Sequence, residues 1–219
     1  MGIKKTIWIF DLDGTLVDSV GQIGYSINRA RNDFGYEDLP TEKIQGLVGL
    51  PIQNFLSDLP LDSREIDSLI SCFREILKHE IERENIVFPG VELLLTELHK
   101  DGYKLAIATS KPTFLAKLVV RNSCLNELID LIQGTDGFPA KPDPTCLFMA
   151  MEALGASKAI MVGDRVEDIL AARAAGIDSI GIAHSFHDAQ VLKSAGALHA
   201  FDSFLDFANS KEIGNLLLD

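Results

Sequence analysis

Basic residues are scarce in this 219-residue chain: 20 Lys and Arg face 32 Asp and Glu, a formal net charge of -12. Nucleic acid and anionic membrane both demand clustered Lys and Arg, so neither is expected as a main partner. A phosphate-bearing ligand survives this test, because a bound cation can reverse the sign of the local field. Cysteine is also sparse. Cys72, Cys124 and Cys146 are odd in number, far apart and outside any CxxC or Cys/His grouping, which argues against structural zinc and for a reducing compartment. No apolar run approaches the ~20 residues that span a bilayer. The apolar stretch after Lys4 and Lys5 lasts four residues, too short for a secretion signal. Residues Met1 to Thr6 match a myristoylation pattern, but Gly2 stands just ahead of a core strand and so short a pattern recurs by accident. Internal repeats and low-complexity tracts are absent, and a soluble, cytoplasmic protein is expected. With 47% hydrophobic residues, the chain can bury one large core, or a core with a smaller insert.

The stretch that organises the chain is Ile7 to Asp18, IWIFDLDGTLVD. Four consecutive apolar residues predict a strand buried on both faces, as in a parallel sheet. Two aspartates two positions apart then point the same way, since side chains alternate with period two. Like charges so placed call for a cation or a shared proton.

Downstream, Ser19 is placed to cap a helix with Val20, Ile23, Ile27, Ala30 and Phe34 on one stripe and Gly35 as its stop. A short helix from Thr41, a flexible loop over Gly46 to Pro51, and a long helix capped by Asp62 or Ser63 follow. Roughly seventy residues therefore carry helices and no convincing strand, which predicts an inserted helical unit. From Phe88 onward the rhythm changes. Strands at Lys104 to Thr109, Leu131 to Gly134, Ala159 to Gly163 and Ser179 to Ile182 alternate with helices. The fold class is α/β, a doubly wound parallel sheet with a small all-helical insert. The expected boundaries are 1–18 and 88–219 for the sheet domain and 19–87 for the helical cap.

Ligands of open parallel sheets bind beyond the carboxyl ends of the strands. Those ends offer Asp11 and Asp13, then Thr109, Ser110 and Lys111, then Gly163-Asp164-Arg165 with Asp168 following; Lys141 precedes another helix. Asp164 and Asp168, at i and i+4, are expected to share one side of a first helical turn. Singly, these residues read equally well as caps or surface charges. Their order in one chain is much harder to dismiss.

Asp11-Leu12-Asp13-Gly14-Thr15, Thr109-Ser110, Lys141 and Gly163-Asp164 with Asp168 resemble the four ordered motifs of the haloacid-dehalogenase superfamily, over essentially the whole chain. Within it the chain most resembles the phosphoglycolate-phosphatase-like hydrolases with a helical cap. The resemblance implies that Asp11 is the nucleophile, forming an aspartyl phosphate, and that Asp13 is the acid and then the base. It implies Mg2+ held by Asp11, Asp164 and the Asp13 backbone carbonyl, with Asp168 as an outer ligand that steadies Lys141. Thr109, favoured as the family position, or its neighbour Ser110, with Lys111, Lys141 and Gly14, would meet the phosphoryl group of a small phosphorylated metabolite. Haloacid dehalogenases lack an acid equivalent to Asp13, and related sugar phosphomutases carry an apolar residue at the Thr15 position and an arginine in the cap loop. Gly46 to Pro51 has no arginine, so hydrolysis is favoured over the mutase alternative, while a pyrophosphatase of the same superfamily stays open. A receiver-type phosphoaspartate switch is disfavoured by the placement of the acids. Lys43 and the Gly46 to Pro51 loop are the candidate substrate discriminators.

Overall fold

The computed structural model describes residues 6–184 and 186–210; the rest of the myristoylation pattern, residues 1–5, lies outside them. The chain opens with β1 (Thr6–Phe10) and β2 (Val17–Asp18), then α1 (Val20–Asp33), α2 (Thr41–Leu47), a 3-10 helix (Ile52–Leu56), α3 (Ser63–Arg83) and β3 (Ile86–Val87). An alternating run follows: α4 (Val91–Lys100), β4 (Lys104–Ala108), α5 (Thr113–Asn122), β5 (Leu131–Gln133), α6 (Thr145–Ala153), β6 (Lys158–Gly163) and α7 (Val166–Ala175). It closes with β7 (Asp178–Ile182), α8 (Ala189–Ala195), β8 (His199–Phe201) and α9 (Phe204–Ala208).

Six strands form one parallel sheet in the order β5-β4-β1-β6-β7-β8. β1 is central, and the chain winds outward from it first toward β5 and then, from β6, toward β8. That reversal beside β1 is the switch point where a crevice opens at the carboxyl edge. The apolar run of β1 divides by period two as its sequence requires. Ile7 and Ile9 pack with Ala106, Ala108 and Met161 under α6 and α7. Trp8 and Phe10 face the other layer, where their rings meet Phe207 and Phe204 of α9 at 6.1 and 6.3 Å. All four are essentially free of solvent contact. β8 and α9 were not expected, because a three-residue strand containing a histidine has no readable alternation.

The helical insert is tethered differently from the expectation. Its two linkers pair as an antiparallel ribbon, Val17 opposite Val87 and Asp18 opposite Ile86, and Phe88 N donates to Leu16 O at 3.0 Å. Two-residue strands leave no periodic signal, so the sequence showed only linkers. Ser19 does occupy the N-cap of α1, but its hydroxyl makes no cap bond; Asp18 accepts from Val20 N instead, at 3.2 Å. Gly46 and Leu47 belong to α2 rather than to a loop, and Pro51 precedes a 3-10 turn. Asp62 caps α3 with a reciprocal pair: it accepts from Arg64 N and Glu65 N, while Glu65 accepts from Asp62 N. The stripe Leu69, Ile70, Phe73, Leu77 and Ile81 then buries against the same apolar cluster as Ile23, Ile27 and Ala30 of α1.

Arg31 locks this insert from inside. It is 3% exposed, donates to Glu37 O at 2.9 Å and Phe55 O at 3.1 Å, and pairs with Asp58 through both terminal nitrogens at 3.2 and 3.1 Å. The Asp58 carboxyl is held below its usual range chiefly by that hydrogen bond. Truncating Arg31 would strand two carbonyls in a low-dielectric interior. Arg31→Ala is therefore expected to cost about 3 kcal/mol, read as a lowered denaturant midpoint with an unchanged slope.

Candidate active site

The site begins where β1 runs out. Asp11 N still donates to Val162 O at 2.9 Å, extending the ladder by one residue. The chain then turns: Leu12 O receives Leu16 N and Val17 N at 3.0 and 3.1 Å, and Gly14 N donates to Val17 O at 2.9 Å. Gly14 sits at φ +88°, and a Cβ there would lie 2.5 Å from Asp164 Oδ2. Glycine is needed twice over, for the left-handed backbone and for the approach of Asp164. Thr15 completes this contact by donating from Oγ1 to Asp164 Oδ1 at 2.7 Å.

Asp164 follows β6 and Asp168 is the third residue of α7. They do not share a helical turn as expected, since Asp164 lies before the helix starts. The strand end carries Asp164 into place, and Asp168 folds back to accept from Arg165 N at 3.1 Å. A Cβ on Gly163 would lie 2.4 Å from Asp168 Cγ, so this turn closes only over glycine. Acceptor atoms of Asp11, Asp164 and Asp168 come within 4.8 Å of one another, all buried.

Lys141, from the loop before α6, enters this cluster. Its ammonium lies 2.7 Å from Asp11 Oδ1, 2.6 Å from Asp168 Oδ1 and 2.9 Å from Ala108 O. Its three donors are thereby used. Asp13 has a separate partner, with Lys111 Nζ 3.1 Å from its Oδ1. Four buried carboxylates face two buried ammonium groups, and the buried Arg165 guanidinium is shared with Glu167, so negative charge is in excess. The electrostatics record this surplus. Burial raises Asp11 to about 7 against the pull of Lys141, with the charges of Asp168 and Asp13 adding to the rise. Burial likewise pushes Asp164 well above the usual carboxylate range, helped by Asp11 and Asp168 and opposed by Thr15 and Arg165. Burial acts to lower Lys141, but Asp11 and Asp168 outweigh it and raise it. A hard divalent cation fits a nest of oxygen donors with that deficit. Asp13's carboxylate lies outside the three-acid cluster, so a contribution from this residue to an ion would come through its backbone carbonyl.

Above this floor lies a cavity of about 420 Å³ between sheet and helical insert. Asp13, Ser110 and Lys111 line its lower wall, and Gly49, Leu50 and Pro51 its upper one. Thr109 is buried beneath, where its Oγ1 accepts from Lys111 N at 3.3 Å. Ser110, rather than Thr109, is on the wall.

Comparison with known proteins agrees with this arrangement. Residues 8–182 match the family described as haloacid dehalogenase-like hydrolase. The chain belongs to that family. It is 33% identical over 208 residues to a protein named "Probable phosphatase IndB" from Dickeya dadantii, covering 91% of this chain and 90% of that one. It is 30% identical over 213 residues to the phosphoglycolate phosphatase of Colwellia psychrerythraea, covering 92% and 94%. The crystal structure of "a predicted phosphatase from Clostridium acetobutylicum" superposes with a TM-score of 0.85 at 31% identity, covering 98% of this chain and all of that one. The protein is thus a phosphatase-type hydrolase of this family, resembling the phosphoglycolate phosphatases, and none of its described helices is long and apolar enough to cross a membrane.

Three residues of this haloacid dehalogenase-like site were not singled out from sequence. Arg165 is buried and reaches the helical insert, donating to Val48 O at 2.9 Å and Gly46 O at 3.1 Å, with Phe186 stacked on its guanidinium at 4.9 Å. Its position directly after Asp164 was the available signal. Thr15 was read as a motif residue and a mark against mutase chemistry, not as a partner of Asp164. His184, whose Nε2 lies 2.9 Å from Gly14 O and whose ring stacks on Phe88, had no signal at all. Lys43, a candidate discriminator, instead lies 3.7 Å from Asp58 and off the cavity wall. Gly14→Ala is expected to reduce phosphate release by about a hundredfold or more, since both its φ and its Cβ displace Asp164. Steady-state kinetics beside a thermal melt would check this; unchanged turnover would show that Asp164 tolerates the shift.

Proposed function

We propose that the protein is a Mg2+-dependent phosphomonoester hydrolase of small phosphorylated metabolites, working through an aspartyl phosphate on Asp11. The observation that carries this reading is the meeting of Asp11, Asp164, Asp168 and Lys141 directly beneath a cavity walled by Asp13, Ser110 and Lys111. Relatives named as phosphoglycolate phosphatases support the phosphomonoester class. The proposed division is 1–18 and 88–219 for the catalytic core and 19–87 for the cap. Three free thiols suit a cytoplasmic protein.

Asp11 attacks phosphorus with the oxygen that Lys141 does not hold. A P–O bond to the carboxylate forms as the ester P–O bond breaks, and Asp13 gives its proton to the departing alkoxide. A water then attacks the same phosphorus while Asp13 takes its proton, returning the Asp11 carboxylate and free phosphate. Ser110 and Lys111, both on the cavity wall, meet the phosphoryl oxygens as charge spreads over them, whereas the Gly14 N–H is committed to Val17 O. Thr109 acts one step back, through the turn it forms with Lys111. Lys141, with its donors taken by protein acceptors, orients Asp11 and Asp168 and offsets their charge. Asp11, Asp164 and the Asp13 carbonyl would hold Mg2+, which supplies charge neutralisation and polarisation of a phosphoryl oxygen. The cap excludes water above the reacting atoms, and Arg165 ties it to the Asp164 turn.

Asp11→Asn is expected to lower phosphate release by about a thousandfold or more across a metabolite panel; a variant as active as wild type would overturn the assignment. Metal has a second readout. Asp11 titrates at about 7 in the folded chain against an ordinary 3.8. The native state therefore binds the extra proton between those values, and metal-free stability falls as pH rises through that window. Mg2+ and protons compete for the same oxygens, so saturating MgCl2 should raise Tm more at about pH 8 than at about pH 6. An equal shift at both would place the ion elsewhere.

A further inference from the structure

Arg74 of α3 lies on the cap side of the cavity and takes no part in the chemistry of its floor. It is partly buried, yet it makes no hydrogen bond or ion pair with any described residue. Among the described residues the fully buried cations are matched: Arg31 with Asp58, Lys111 with Asp13, Lys141 with Asp11 and Asp168, and Arg165 with Glu167; Lys78, on the same helix, shares Arg74's partial burial without a partner but is not on the cavity wall. Asp13 is the one acid among the described residues that line the cavity, and Lys111 already engages it. The rest of the cap-side lining is apolar apart from Gln53, with Ile23, Leu50, Ile52, Phe55 and Phe73. A cation left without a partner against such a surface loses hydration and gains nothing from the protein itself. Its fork of donors matches a carboxylate.

Size adds a second constraint. A cavity of about 420 Å³ falls in the range that encloses drug-sized ligands. A phosphorylated two-carbon acid would leave most of the apolar wall uncovered and would place its carboxylate close to the phosphate.

We infer that the substrate's leaving group is longer than a two-carbon acid, with an apolar body against the cap and a terminal carboxylate received by Arg74. A polar floor, an apolar cap wall and one cation on that wall define that class: a phosphate monoester of an ω-hydroxy acid or a compound of like shape. The inference rests on the phosphomonoesterase reading above, and it differs from the substrate in the names of several relatives.

The test uses the full chain with MgCl2 and three esters: the phosphates of 6-hydroxyhexanoate, of its amide, and of glycolate. Wild type is expected to favour the six-carbon acid over its amide in kcat/KM by about tenfold or more, and over phosphoglycolate as well. Arg74→Gln should bring the acid-to-amide ratio close to one, and Arg74→Lys, which keeps the charge without the fork, should leave it intermediate. A thermal melt of each variant separates this from misfolding. Phosphate release with the same acid-to-amide ratio in wild type and Arg74→Gln would overturn the proposal alone, as would a clear preference for phosphoglycolate. No release from any ester, with Asp11→Asn indistinguishable from wild type, would overturn the phosphatase reading and this proposal with it.

Discussion

The site depends on one buried ammonium group. Lys141 stands between Asp11 and Asp168 and also donates to the last carbonyl of β4, so it joins three separate elements at the sheet's edge. A buried charge of this kind is stable only when its partners are fixed, and each partner here is fixed by something else. Asp11 is the last rung of the β1 ladder, and Asp168 is pinned by Arg165 N over Gly163. Removing the ammonium would leave two carboxylates facing each other with no solvent, a penalty of about 3–5 kcal/mol in comparable buried pairs. The same ammonium is too little to neutralise the whole cluster. That shortfall is what suits the cluster to a cation rather than to a closed structural salt bridge.

Around this group the chain assigns separate tasks to floor and roof. The floor is polar, uses both lysines to hold acids, and admits small or glycine residues where carboxylates crowd. The roof is built from α1, α3, the 3-10 helix and the segment before it, and it is apolar except at Arg74 and Gln53. Chemistry common to phosphate esters can reside below while discrimination among leaving groups resides above. Nothing in the floor would need to change for the roof to accept a different alcohol.

Much of this was legible in the sequence, for identifiable reasons. The buried strands were readable because four-residue and longer apolar runs ending in acids or hydroxyls have few alternatives, and α3 because Asp62 and Glu65 bracket a regular stripe. The acids and Lys141 were readable as a set because strand ends in a parallel sheet converge. What was not readable depends on single three-dimensional approaches. The β2–β3 ribbon is two residues long on each side. Arg31 and Arg165 look like ordinary surface arginines until their carbonyl partners, distant in sequence, are known. The placement of Asp164 before the helix, and of Ser110 rather than Thr109 on the cavity wall, turns on where a strand stops, a boundary that alternation leaves uncertain by a residue or two.

The point of insertion ties closure of the roof to the geometry of the floor. The ribbon that carries the cap begins at Val17, four residues after Asp13, and Gly14 N and Leu12 O both bond to Val17 within one turn. Any rotation of the cap about β2 and β3 therefore pulls on the loop that bears Asp13. On the far side Arg165 bridges from the Asp164 turn to Val48 and Gly46 of the cap, and His184 braces Gly14 against Phe88 at the ribbon's exit. A hinge placed in a remote loop could open without disturbing the acids. This one is tied to them, because Val17 at the start of β2 and Phe88 just after β3 hydrogen-bond to the Asp11–Leu16 loop. Cap and carboxylates thus share one set of hydrogen bonds, which couples an insert with no acid on the cavity wall to the loop that carries Asp13.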